Sequence, residues 1–391
     1  MPVTLPADLI EIIAQHGDMG TQSSLAVISR NAYFVSVRTL YASIPDMNVT
    51  RTTQCLLTLS KNPELARMVR SFSFVSDISP HLLQGFFVIL RRALSNMKSL
   101  HTLSLDVDEP TTMDFSKHIS GQLTQLNLTT SKGRYPISEF LLSQPTIEVL
   151  HIICDLDDIS ALSSEALPAL KKLTAPLPLL SKLLPSRWSR LSQLFVLGVI
   201  DDLTGLIEVS RILTLPNPPE SLELGIYVMF NTVTMPASII ALGLGSIGQA
   251  APFISLLVFG KHGHSLVQHE LRDIFTAALP CFPKLEVLVL MTEQQTPEDS
   301  SLNNGPALAS APNSIPDAFY DRSCHPKLAR AWSQIHPGLR WVLFPAGAYR
   351  LQSLVFMNLG LTPEILKFLF LATFELTVIF GAIAFFSFSA Y

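Results

Sequence analysis

Leu100-His101-Thr102-Leu103-Ser104-Leu105 reads apolar-x-x-apolar-x-apolar, and the same spacing returns at Leu123/Leu126/Leu128, Ile147/Leu150/Ile152, Leu170/Leu173/Ala175 and Leu191/Leu194/Val196. The closing alternation of each run predicts a short strand with one buried face. Ser138 to Leu142, Leu203 to Leu215 and Ser265 to Ala278 carry helical spacing and predict helices packed behind the strands. The runs recur every 20 to 25 residues or so, a period at which one strand-and-helix unit cannot bury its own apolar face and must stack on its neighbours. The pattern continues, with stretched spacing, at Ile239/Leu242/Leu244, Phe253/Leu256/Val258 and Leu285/Leu288/Leu290. An α/β repeat array over residues 99–350 follows, a solenoid rather than a globular enzyme core.

That period is the period of leucine-rich repeats, and the array resembles an irregular member of that class, without the Asn or Cys that usually closes each turn. In front of it, Leu5-Pro6-Ala7-Asp8-Leu9-Ile10-Glu11-Ile12-Ile13 sets proline at a helix start, a carboxylate in the first turn and apolar residues at 9, 10, 12 and 13. After a Gly17-Asp18-Met19-Gly20 break, a second helix is predicted from Ser24 to Arg30, and Val35 to Ile44 forms a third apolar segment. Leu5, Pro6, Leu9, Ile10, Ile13, His16, Leu25, Val27, Ile28, Ser29, Arg30, Leu40, Tyr41 and Ile44 together resemble the F-box of basidiomycete F-box proteins. The pattern departs from that family at Gly17 and at Thr21-Gln22.

The resemblance implies a module over residues 1–45 that docks a Skp-type adaptor through Leu5, Pro6, Leu9, Ile10, Ile13, Leu25 and Ile28. It further implies a substrate-recognition subunit of a Skp-cullin-F-box ubiquitin ligase, with the array holding a protein target. Residues 46–98, including Asn62-Pro63-Glu64-Leu65, resemble the helical linker and first array elements of the same proteins. Cys324 to Trp332 and Pro337 to Pro345 resemble their closing helix and strand. The alternative is that the three helices cap a repeat scaffold that has no ligase connection.

Composition limits the other classes. Hydrophobic residues make up 48% of the 391 and charged residues 15%, against about 25% charged in soluble proteins generally. The net charge of −4 is made of interspersed signs with no basic block, which argues against nucleic acid as a partner. Cys55, Cys154, Cys281 and Cys324 stand far apart with no CxxC pair, the usage of a reduced cytoplasmic or nuclear protein.

Gly243-Leu244-Gly245-Ser246-Ile247-Gly248 matches GxGxxG, but no acidic residue stands at ribose-binding distance, and two strands joined by a glycine turn is the preferred reading. His262, His264 and His269 lack a closed zinc spacing and read as an exposed loop. Asp155, Asp157 and Asp158 read as solvated turn residues without the rest of a calcium loop. No catalytic constellation, cofactor or metal site is expected.

Residues 292–317 are rich in Ser, Pro and Asn and read as a disordered loop. Residues 361–391 read as an apolar helix whose Phe368 to Phe388 stretch, with Phe368, Phe374, Ile379 and Phe385, would be long enough to span a bilayer and tail-anchor the protein. Glu375 opposes insertion, and the same stretch could instead be a buried cap on the last repeat.

Overall fold

The computed structural model describes residues 6–75, 84–107, 118–119, 121–130, 137–231, 233–292, 317–345, 347–351 and 355–357. The chain is mixed α/β with mostly parallel strands, divided into two compact units, Met1–Arg190 and Leu191–Tyr391. Leu5, the apolar segment 361–391 with Phe368, Phe374, Ile379 and Phe385, and the 292–317 loop apart from Thr292 and Asp317 lie outside the described residues. Among the described residues, no helix is long and apolar enough to cross a membrane.

The first unit opens with three helices, α1 (Ala7–His16), α2 (Met19–Ile28) and α3 (Arg30–Ala42). The break before α2 is shorter than the glycines suggest. Asp18 accepts a hydrogen bond from the Thr21 amide at 2.7 Å and so caps a helix that starts at Met19, five residues before Ser24. Ser29 does the same for α3, accepting from the Ala32 amide.

The chain then runs through β1 (Ser43–Ile44), α4 (Val49–Lys61), α5 (Pro63–Ala66), β2 (Ser71–Val75), α6 (Gln84–Asn96), β3 (Thr102–Val107), β4 (Gln125–Thr130), α7 (Ile137–Ser143), β5 (Val149–Ile153), β6 (Lys172–Pro176) and α8 (Leu177–Leu183). Strands β1 to β6 are parallel and follow sequence order. Phe72, Leu103, Leu126, Leu150 and Leu173 stand side by side across five strands, with Phe74, Leu105, Leu128 and Ile152 one step along. All are buried, so each predicted leucine run enters one continuous apolar layer, with about 0.8 kcal/mol gained for each CH₂ removed from water. Arg187 closes the unit: it is buried, and its guanidinium donates to the carbonyls of Ala166, Leu183 and Ser163. Asp158 departs from the expectation of a solvated turn. It is buried in a short 3-10 helix, Leu156–Ile159, and its carbonyl accepts from the Ser138 hydroxyl.

The second unit contains β7 (Gln193–Ile200), α9 (Leu203–Leu213), β8 (Leu222–Phe230), α10 (Ala237–Ala250), β9 (Ile254–Gly263), α11 (Gln268–Ala278), β10 (Val287–Thr292), α12 (His325–Ile335), β11 (Trp341–Phe344), β12 (Gly347–Arg350) and β13 (Val355–Met357). Strands β7 to β11 are parallel and sequential, whereas β12 and β13 return antiparallel. The inner row runs Leu194, Leu224, Leu257, Leu288 and Val342.

Two sequence expectations fail in this unit. Ile239/Leu242/Leu244 is not a strand: it lies in α10, where Ile240, Leu244 and Ile247 recur at helical spacing and are buried while Leu242 faces out. A short apolar run fits both periods, and the strand of this region is β8, which the spacing did not single out. Phe253/Leu256/Val258 is displaced by one residue. Pairing aligns Leu257 with Leu288 and Phe259 with Leu290, so Ile254, Leu257 and Phe259 point to the helices and Leu256 and Val258 to the opposite face. A one-residue slip inverts every side chain of a strand.

Candidate protein-docking surfaces

The N-terminal helices divide their apolar residues between two directions. Ile10, Ala14, Ala32 and Val37 are buried inside the module. Leu9, Ile12 and Ile13 on α1, Val27 and Ile28 on α2, and Tyr33 and Phe34 on α3 are exposed, Val27 at 85% and Ile28 at 71%. These are seven of the fifteen large apolar side chains exposed among the described residues, gathered between positions 9 and 34. Scattered exposed apolar residues are ordinary, whereas a concentration on one short module makes a candidate docking surface. The Tyr33 and Phe34 rings meet edge to face with centroids 5.7 Å apart, which ties two of the larger members together.

Of the residues singled out from the sequence, Pro6, Leu9, Ile13 and Ile28 are exposed and Leu25 is half-buried. Ile10 differs, because its burial assigns it to holding the module together. Ile12, Val27, Tyr33 and Phe34 were missed as surface residues. Helical spacing marks apolar positions but does not say which of two apolar stripes turns inward.

A second surface lies on the face of the β2–β6 strands opposite the leucine rows. Register sets Ser73, Ser104, Asn127, His151 and Thr174 in one line across it. His151 is buried, its Nε2 has no hydrogen-bond partner, and burial pushes its pKa down to about 4, so the ring is neutral near pH 7. The remaining members of the line are half-buried. The half-buried hydroxyls and amide of Ser73, Ser104, Asn127 and Thr174 are groups that can pair with polar groups of a protein chain.

The GxGxxG segment lies wholly within α10, not in a turn between strands. A Cβ on Gly243 would stand 2.3 Å from Leu206 Cδ1, and one on Gly248 would stand 2.8 Å from the Cys281 backbone. These glycines permit close approach of neighbouring elements, a packing role and not that of a phosphate cradle. Gly245 faces an open groove of about 650 Å³ lined also by Ala237, Ala241, Gln249, Asp273 and Cys281.

His262 lies near the end of β9 and is half-buried, while His264 and His269 are exposed. Among the described residues, no three His, Cys, Asp or Glu side chains gather to hold a metal. The four cysteines are free, and burial pushes the Cys154 thiol up to about 12 and the Cys324 thiol up to about 11, the reverse of an activated nucleophile. A largely buried ion pair in the second unit is structural. Lys261 pairs with Asp317, donates to the His264 carbonyl at 2.8 Å and lies 5.7 Å from the Phe319 ring centre, tying the end of β9 to the segment before α12.

Compared with known proteins, the chain matches no protein-family model and no curated protein. What fold and surfaces define is therefore a class: parallel strand-and-helix units bearing an apolar helical surface at one end of the chain and a polar strand face in the first unit.

Proposed function

We propose that this chain is a non-catalytic substrate-recognition subunit of a Skp-cullin-F-box type ubiquitin ligase. Its N-terminal helices hold a Skp-type adaptor, and its strand units, read as an irregular leucine-rich-repeat solenoid, hold a protein target. The observation carrying this reading is the concentration of exposed apolar side chains on α1 to α3, on helices whose sequence resembles an F-box. Burying each such side chain against an adaptor contributes on the order of 1.5–3 kcal/mol before the costs of association. The polar line through Ser104 and Asn127 supports a target site that recognises hydrogen-bonding groups. In this mechanism the transfer chemistry belongs to other subunits, and the chain raises the local concentration of the target beside them.

One observation favours a competing role for the helices as a cap of the array: α3 runs directly into β1, which pairs with β2. The test separates the two. Full-length protein is expected to co-purify with a Skp-type adaptor, and Val27→Asp with Ile28→Asp to abolish this without unfolding, since both side chains face solvent. Leu9→Asp with Ile13→Asp should act the same way. Absence of the adaptor from the wild-type preparation, or its retention by the double variants, leaves only the cap.

A further inference from the structure

Helix α12 is fastened at both ends by a buried histidine. His325 opens the helix. Its Nε2 stands 3.1 Å from the Ala318 carbonyl oxygen, its ring stacks on Phe344 of β11 with centroids 3.8 Å apart, and the Tyr349 ring of β12 meets it edge-on at 5.9 Å. His336 follows the last turn, with its Nε2 2.7 Å from the Phe282 carbonyl oxygen. A carbonyl only accepts, so each Nε2 carries the hydrogen, and in the neutral ring Nδ1 is bare. Among the described residues, neither Nδ1 has a hydrogen-bond partner.

The two ends differ in how they meet a positive charge. A proton added to His325 goes to Nδ1, where it finds no acceptor, in a ring already taken out of water and at the positive end of the helix dipole. Burial holds this imidazole below the ordinary histidine range, against the pull of the Ala318 and Phe319 backbone and of Asp321. The stacked Phe344 ring would attract an imidazolium, but that attraction is smaller than the cost of a buried charge without its partners. His336 lies at the negative end of the same helix, where the dipole favours a cation.

On the elements packed against His325, the titratable groups are Asp317, Tyr320, Asp321, Arg322 and Cys324 before α12, Lys327 and Arg330 on α12, and Tyr349 and Arg350 on β12; β11 brings none. The carboxylates are engaged elsewhere. Asp317 pairs with Lys261, and Asp321 accepts from the Ser323 amide and hydroxyl at 3.0 and 2.6 Å.

We propose that His325 is an acid-sensitive fastener of the α12–β11 unit: neutral, it holds the start of α12 to β11 and β12, and on protonation it lets them go. Release is local. Stacked strand-and-helix units contact mainly their neighbours, so the last parallel unit opens while β7 to β10 stay paired. Opening uncovers α11 around Phe275, whose ring lies 5.2 Å from Trp332, and the edge of β10 with which β11 pairs. Because the folded chain holds His325 below its ordinary value, the unit is fastened above about pH 6.5 and loosens as pH falls. The fastener is independent of the adaptor.

The test uses the full chain in three measurements. Hydrogen exchange, corrected for the intrinsic rate, is expected to show the amides of α12 losing protection at least about fivefold between pH 7 and pH 5, while those of α9 and β8 keep theirs. In His325→Gln, whose amide can donate to the Ala318 carbonyl but takes up no proton, protection of α12 is expected to stay level over the same range. In the unsubstituted protein at pH 7, ring-nitrogen NMR is expected to show His325 as the neutral Nε2–H tautomer. Level protection of α12 in the unsubstituted chain, an equal loss in His325→Gln, loss in α9 and α12 together, or a charged ring at pH 7 would each overturn the proposal.

Discussion

Gly225 and Phe195 offer a sharp test of how the second unit is packed. They are direct neighbours on β8 and β7, and the Phe195 ring lies over the glycine. A Cβ built on Gly225 would fall 2.0 Å from Cδ1 and 2.1 Å from Cε1 of that ring, where carbon contacts are comfortable only near 3.5–4.0 Å. Gly225 is not among the residues of positive φ, so alanine brings no backbone strain there. With nothing overhead, Gly225→Ala would be neutral or slightly stabilising, because glycine weakens a strand interior. With the ring in place, the clash involves the body of a buried aromatic and is expected to cost about 1–3 kcal/mol. Phe195→Ala should cost about 3–5 kcal/mol through the cavity it leaves. In the double variant the new methyl enters that cavity, so the total should fall short of the sum by about 1–3 kcal/mol. Urea unfolding of the full chain, followed by tryptophan fluorescence and compared by midpoint at constant slope, measures all three. Strict additivity, or an unchanged midpoint for Gly225→Ala, would show that the ring does not cover the glycine.

Gly248→Ala should destabilise by about 1–3 kcal/mol because its Cβ would press on the Cys281 backbone, which cannot rotate away. Gly245→Ala, whose Cβ would only touch Cys281 Sγ at 3.7 Å, should be neutral or stabilise α10 by up to about 1 kcal/mol; equal effects in thermal melts would refute the packing role of the motif. The pKa of His151 is about 4 in the folded chain and 6.5 ordinarily, so between those values the unfolded chain binds a proton that the folded chain does not. Stability from this residue is therefore fully present above about pH 6.5 and declines as pH falls towards 4, by on the order of 3 kcal/mol. His151→Asn should flatten that part of the stability profile, and a stability difference from wild type that is the same near pH 4.5 and pH 7.5 would be evidence against it.

The leucine spacing from Leu100 onward was enough to define β3 to β6 of the first unit and their inward residues, because polar residues occupy most of the alternate positions, as in TLSLDV and QLNLTT, and favour one phase. Segments of helical spacing such as Leu203 to Leu215 likewise fall on observed helices, with ends shifted by caps such as Asp18 that outweigh a local glycine signal. In the second unit the same reasoning had nothing to hold the phase. Where both faces of a strand are apolar, Leu256 and Leu257 are equivalent until pairing with β10 selects one of them. The six-residue glycine motif is equally silent, since glycine serves a turn, a phosphate or a close helix contact, and only Leu206 and Cys281 standing against α10 decide for the last. The N-terminal helices could be read as amphipathic, yet which of Leu9, Ile10, Ile12 and Ile13 faces solvent depended on where α3 came to lie. Local periodicity encodes which residues avoid water; the neighbour that shields them, or fails to, exists only after the chain has folded.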